Sequence, residues 1–370
     1  MDTISQKQEI KNAVNELLSD ETKMKVKLTL ENPAKFHDKY VCRLLWNKFI
    51  LTIQKKMVPC HFKNWLLRTT EMKVGYDACI PHDITFDPYF PELIFVGKGA
   101  LIGGDSTLFT HKIEGSKLII GKNILDERTM MAGLAEMMHG SKISKHSMLN
   151  LYSTLEGTIP EGELWGGKPA KLMTKFDAAT IEKFFAYSKN DPDYYKNFKE
   201  KLKAFWKDPS QNYLKIYYDG NRLTAGDDWW RARSVFVIFW SGGLIEFCRL
   251  LPHSWFKTIL LKLAGVKIGK NVYIGKGCIF DHLMTNTIIL EDNVKLEDYV
   301  YIDGHEYTAT QTVFGRVTVK KGAHLKHHAF VRTGTTIGEN SVIESYSMAQ
   351  REIPANEVWG GVPAKFVRKI

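Results

Sequence analysis

Cysteine is sparse in this chain: five residues among 370, at positions 42, 60, 79, 248 and 278, with no Cys-X-X-Cys pair. Scattered and odd in number, they support neither a disulfide framework nor a zinc knuckle, and a reducing, cytoplasmic compartment is expected. Long apolar runs are missing too. The most apolar stretch, Val235 to Ile245, ends after 11 residues at Glu246, well short of the about 20 needed to cross a bilayer core. The first twenty residues are charged and helical in period, without the apolar centre of a signal peptide. No arginine-rich segment points to nucleic acid. Acidic residues do not balance basic ones, 41 against 51, and the net charge of +10 leaves an anionic partner open. A hydrophobic content of 44% is enough for the cores of a multi-domain globular protein.

What the chain does have is repetition. Residues 163–170 read ELWGGKPA and residues 357–364 read EVWGGVPA, 194 positions apart. Sliding the chain by that step also superposes Trp46 on Trp240, Val74-Gly75 on Ile268-Gly269, Phe86-Asp87 on Phe280-Asp281 and His111 on His305. Such self-similarity marks a duplication. The organisation expected is an N-terminal helical segment (1–29), a helical pair with a first repeat domain (30–176), a helical linker (177–224), and a helical pair with a second repeat domain (225–370). Asp177 and Asp191-Pro192 read as helix starts within the linker, where Tyr194, Tyr195, Phe198, Leu202 and Phe205 form an apolar stripe suited to core packing. The apolar helix near 235–245 and its counterpart near 40–58 are read as caps on the repeat domains, with membrane-surface contact the less favoured use.

Within each half the period is six. Val319, Leu325, Val331, Ile337 and Ile343 follow one another at six-residue steps, preceded by Ile268, Ile274, Phe280 and by Leu290, Leu296, Ile302. Six suits neither an α-helix nor an alternating strand, but it suits short strands ended by tight turns, coiled into a prism with an aliphatic axis. The first half keeps phase at Val74, Ile80 and Phe86, then at Val96, Ile102 and Leu108, and again at Ile120. Asp126, Ser144 and Asn150 then stand where that count expects core residues, so its later coils are expected to be eroded.

Hexads closed by WGGxPAK resemble the hexapeptide-repeat acyltransferases, over about 72–176 and 266–370. The segment FDPYFPELIFVGKGALIGGDSTLFTH, residues 86–111, is similar to the approach to the family's catalytic histidine. More loosely, the tandem arrangement and DDWWRARSVFVIFW resemble the C-terminal region of polylysine-synthetase-type peptide synthetases. The resemblance implies a mainly β fold of two tandem left-handed parallel β-helices, and transfer of an acyl group, acetyl above all, from coenzyme A to a hydroxyl or amine such as that of a sugar. It implies acetyl-CoA or another acyl-CoA as co-substrate, no metal, and a homo-oligomer, with a trimer favoured.

His111 and His305 occupy the position of the family's general base. A neutral imidazole suits proton removal from an attacking acceptor. The closing loops, Trp165, Gly166, Gly167, Pro169, Ala170 and Lys171 in one half, would lie along the donor's pantetheine arm; Trp359, Gly360, Gly361, Pro363, Ala364, Lys365 and Arg368 would do so in the other. Paired glycines there allow close backbone approach, and the basic residues after them could meet phosphates. Eroded coils below His111 imply that His305 carries more of the work. Carrier-protein phosphopantetheine as donor, or an inactive scaffold, stand as alternatives. His324, His327 and His328 invite a zinc reading, but strand geometry puts 324 and 328 on one face and 327 on the other, which disfavours it.

Overall fold

In the computed structural model, residues 3–32, 35–37, 40–185, 194–217, 229–307 and 311–370 are described, and the chain divides near residue 187 into two compact units. Each unit is a left-handed parallel β-helix. Three parallel sheets form the faces of the second unit, and strands of two or three residues supply nearly every rung. One face stacks Lys267–Ile268, Ile288–Leu290, Val317–Val319, Thr336–Ile337 and Glu352–Ile353. Each rung's amides bond to the next coil, as Tyr273 N donates to Val294 O at 2.9 Å. The hexad residue points inward: Val319, Leu325, Val331, Ile337 and Ile343 are all fully buried. Burying one such side chain contributes about 1.5–3 kcal/mol.

The first unit is built the same way, and its later coils are not eroded. Leu125, Met131, Met137, Ile143, Leu149 and Leu155 fill its axis at six-residue steps, all essentially inaccessible. The expectation at Asp126, Ser144 and Asn150 fails because a hairpin interrupts the coil and restarts the hexad count one residue early. That hairpin pairs His111–Glu114 with Lys117–Gly121; its counterpart pairs His305–Tyr307 with Gln311–Gly315. Both units make the same phase jump, from Leu108 to Leu125 and from Ile302 to Val319, so the 194-residue step holds through the hairpin without insertions.

A third strand joins each hairpin. Lys25–Thr29 pairs antiparallel with Lys117–Gly121, and Tyr213–Tyr217 with Gln311–Gly315. Each follows a helix, Thr3–Ser19 or Tyr194–Lys207. The segment expected as an all-helical linker therefore contains an edge strand, for which the alternation of buried Leu214 and Ile216 with Tyr213 and Lys215 is the signal. Its helix is built into the second unit: Phe198, Leu202 and Phe205 are buried against Leu214, Ile216, Leu283 and Phe314. Asp177 does cap the helix Ala178–Phe185, its carboxylate accepting from Thr180 N at 2.7 Å, whereas the start expected at Asp191-Pro192 lies outside the described residues.

The helical pairs Val41–Ile53 with His61–Arg68, and Val235–Leu250 with Trp255–Leu263, close the first coil of their units. Leu51 and Leu67 join one axial core; Ile245, Cys248 and Leu261 join the other. Lys63 and Lys257, one repeat step apart, are both fully buried and donate to carbonyls of the coil, Lys63 to Pro81 O at 2.6 Å and Lys257 to Gly275 O at 2.6 Å. Burial pushes the Lys63 ammonium down to about 8. The unfolded chain, with its lysine near 10.4, then binds more protons than the folded one between those values, so stability rises with pH across that window. Urea titrations at pH 7.5 and pH 10 should show this rise in the wild type, relative to Lys63→Met, in which the contribution of this group is absent.

Candidate active site

Asp87 directly follows the strand Thr85–Phe86 of one coil of the first unit, and His111 begins the hairpin that leaves the next coil, 24 residues on. The two meet: His111 Nδ1 contacts Asp87 Oδ2. The carboxylate is buried and held from three other directions, accepting from Thr110 Oγ1 at 2.7 Å, Thr110 N at 3.2 Å and Tyr89 N at 2.9 Å. Burial alone would push its pKa up, but His111 and these donors outweigh it and hold Asp87 below the usual carboxylate range.

The second unit repeats the arrangement. His305 Nδ1 contacts Asp281 Oδ2, which also accepts from Gly304 N at 2.8 Å, while Oδ1 accepts from Leu283 N at 2.7 Å and Met284 N at 2.6 Å. A Cβ on Gly304 would come within 2.9 Å of Met284 Cβ, so in this unit a side chain here would force Met284 to shift, whereas the first unit has Thr110 at the equivalent position. Asp281 is fully buried, and against that burial His305 and the amides keep it well below its ordinary value. In both units the imidazole stays partly exposed, with side-chain exposures of 19% for His111 and 25% for His305. An ionised carboxylate on Nδ1 fixes the tautomer that carries its proton there. Nε2 is then left with a lone pair, the form a general base requires.

The surroundings of the two imidazoles differ. Phe36 stacks on His111 with ring centroids 4.9 Å apart, and Tyr89 and Phe90 stand edge-on to it. His305 meets Tyr307 edge-on at 4.8 Å. Where the first unit has Phe109 the second has Asp303, whose carboxyl is pushed well up by burial and then by the charge of Asp281. Asp281, Asp303 and His305 lie close enough together to ligate a cation. The Asp281 oxygens, however, are already committed to His305 and three amides, which a metal would have to displace.

His324 and His327 do not lie on opposite faces as expected. Their Nε2 atoms both reach Glu297, at 2.7 and 3.2 Å, because the turn after Leu325 brings 327 round to the same carboxylate. His328 is sandwiched between Tyr299 and Tyr346, at 4.9 and 4.8 Å.

The closing loops end the two solenoids. Trp165 and Trp359 lean on the axial cores, and each indole N–H donates at 2.8 Å to a carboxylate two residues earlier, Glu163 or Glu357. Gly167 and Gly361 have φ of 104° and 97°, a conformation that favours glycine, and their amides donate to Ser153 and Ser347 at 2.9 Å. Pro169 and Pro363 follow cis peptide bonds; Ala170 N and Ala364 N then return to the carbonyls of Thr154 and Met348 at 2.8 Å. The last strands, Lys171–Lys175 and Lys365–Lys369, carry Lys171, Lys365 and Arg368 into solvent. These loops are not brought against the histidines of their own units. The rungs Tyr301, Phe330, Met348 and Gly361 separate them in the second unit, roughly 15 Å along the axis at ~4.8 Å per rung.

This fold and site define a class: a tandem of hexapeptide-repeat β-helices, each with an aspartate-held histidine on a hairpin at one corner, similar to the hexapeptide-repeat acyltransferases. No known family profile matches the chain. YvoF of Bacillus subtilis, whose acetyltransferase assignment is itself provisional, is 26% identical over 132 residues, 35% of this chain and 77% of that protein. The galactoside O-acetyltransferase of Escherichia coli is 28% identical over 113 residues, 28% of this chain and 56% of that one. The delta-poly-L-ornithine synthetase of Acinetobacter baumannii is 26% identical over 116 residues, 31% of this chain but 8% of that protein, in line with the looser resemblance. A hexapeptide-repeat acetyltransferase of Vibrio cholerae solved with acetyl coenzyme A aligns with a TM-score of 0.33 at 14% identity, over 37% of this chain and 88% of that one.

Asp87 and Asp281 escaped the motif reading, although the 194-residue step superposes them as it does the histidines. Replacing either by asparagine would let an amide N–H donate to Nδ1 and favour the wrong tautomer. The double variant Asp87→Asn/Asp281→Asn should lower kcat about 10²-fold or more while donor KM holds, and either single variant should keep the share of the unit left intact, measured by steady-state kinetics.

Proposed function

We propose that the protein is an acyltransferase that moves an acyl group, acetyl in the simplest case, from coenzyme A to a hydroxyl or amine of a small acceptor such as a sugar. The observation that carries this reading is the aspartate-held imidazole, repeated in both units with Nε2 left to take a proton. As the acceptor attacks the thioester carbonyl, Nε2 of His111 or His305 takes its proton; the tetrahedral intermediate then collapses, and the coenzyme A thiolate leaves and is protonated. The closing loops and basic tails would carry the donor: an extended pantetheine arm can run along the rungs between loop and histidine, and Lys171, Lys365 and Arg368 stand ready for its phosphates. Sugar acceptance is supported by the likeness to galactoside O-acetyltransferase. Clefts between prisms of a homo-oligomer, a trimer by preference, would complete the acceptor sites.

The intact axis of the first unit removes the reason to rank His305 above His111, and with it the main support for an inactive scaffold. Both sites are taken as working. In a thiol-release assay with acetyl-CoA and a panel of amino and neutral sugars, each single His→Ala variant should keep a sizeable part of the rate. The double variant should lose roughly 10²–10⁴-fold; full activity in it would overturn the histidine mechanism. Calorimetric titration with acetyl-CoA should show binding that weakens as salt rises, because exposed lysines and arginines face phosphates across water. Absence of heat at low ionic strength from folded protein would count against coenzyme A as donor.

A further inference from the structure

The helical pairs that close the two prisms have a second face. In helix Val235–Leu250, Ile245 and Cys248 turn into the core, while Phe236, Trp240, Phe247 and Leu250 are exposed. With Gly243 these positions trace one stripe at three- and four-residue steps. Trp255, Phe256, Ile259 and Leu263 continue it on the next helix, with Phe236 at 77% and Trp255 at 75% exposure. The first unit does the same with Leu45, Trp46, Phe49, Ile53, Phe62 and Trp65. Trp46 and Trp240, Ile53 and Phe247, Phe62 and Phe256, and Trp65 and Ile259 are pairs under the 194-residue step. Both copies thus keep large apolar side chains where the prism does not need them.

Charge is concentrated in the same segments. Residues 41–73 hold seven lysines and arginines against one acidic residue, and residues 235–267 hold four against one. Nine of the chain's ten net positive charges therefore lie in these two segments. Lys48 and Lys262 are exposed on the helical pairs themselves and Lys56 in the turn after the first helix, where it pairs with Asp83 at 3.3 Å, while Lys63 and Lys257 are the buried carbonyl clamps. Among the described residues no helix is long and apolar enough to cross a membrane.

Exposed tryptophan, phenylalanine and leucine beside lysine, on helices too short to span, form the pattern of a surface that enters the headgroup region and lies in its plane. We infer that the outer face of each helical pair docks on a lipid bilayer bearing anionic headgroups. A second copy of the chain is the poorer partner, because an isologous contact would set one cationic face against another. An anionic bilayer supplies both an apolar bed and the opposite charge. Docking of these faces does not depend on whether the protein transfers acyl groups.

The full chain should float with phosphatidylcholine vesicles that contain phosphatidylglycerol, much less with phosphatidylcholine alone, and the difference should shrink with salt. The double variant Phe236→Ser/Trp255→Ser, both positions solvent-facing, should lower vesicle partition about tenfold or more while keeping the wild-type circular dichroism. Should that variant not fold, wild-type tryptophan fluorescence decides: bromine-labelled lipid should quench it in anionic vesicles. Absence of both flotation and quenching with anionic vesicles at low salt would overturn the proposal, as would sedimentation data showing the faces consumed in self-association that anionic vesicles do not reverse.

Discussion

A chain that coils in three short strands per turn brings one side chain per strand to a common axis, and every sixth residue must then be apolar and fit the space left by the coil above. This constraint governs the rest of the molecule. Backbone polar groups are satisfied coil to coil, so no rung can be left out, and both ends need covers. At the first coil the cover is a helical pair, with Leu67 or Leu261 pressed on the axis and a buried lysine clamping carbonyls. At the last coil it is an antiparallel strand and a tryptophan tied to its own neighbouring glutamate. Interruptions survive only where they leave a corner and return to it, as the two hairpins do with the same one-residue change of phase.

The candidate chemistry grows from that corner. Because the hairpin leaves one coil directly above the strand end of another, a histidine at its root lands on an aspartate 24 residues earlier, and the coil's own amides supply the donors that make a buried carboxylate tolerable. The imidazole is thus held by a rung of the solenoid and not by a surface loop, which favours the fixed geometry that proton transfer needs. What differs between the units is the second layer: an aromatic box of Phe36, Tyr89 and Phe90 around His111, and the added carboxyl of Asp303 beside Asp281. Such neighbours can tune acceptor choice without altering the dyad.

The same helices meet two environments. One side is chosen by the prism axis, the other by whatever lies outside it. Keeping tryptophan and phenylalanine on that outer side, amid most of the chain's positive excess, works against a freely dispersed molecule. It gives the net charge a location that composition alone could not.

Much of this was legible from residue order. The 194-residue step, the hexads and the WGGxPA closures established the duplicated β-helix, and His111 and His305 stood out because they share that step. The step also held Asp87 and Asp281, but an aspartate after an aromatic residue has no distinctive local pattern; only the coil's return beside itself makes it a histidine's partner. Hexad counting misjudged the first unit because a phase jump inside a hairpin is invisible until strand pairing is known, and Leu125 rather than Asp126 then faces the axis. Tyr213–Tyr217 read as helix for a similar reason, since its strand exists through pairing with residues about a hundred positions later. Periodicity reports which side chains must be buried together; which coil lies above which, and so which polar groups meet, was decided by tertiary structure, because contacts across coils depend on loop lengths that local sequence does not encode.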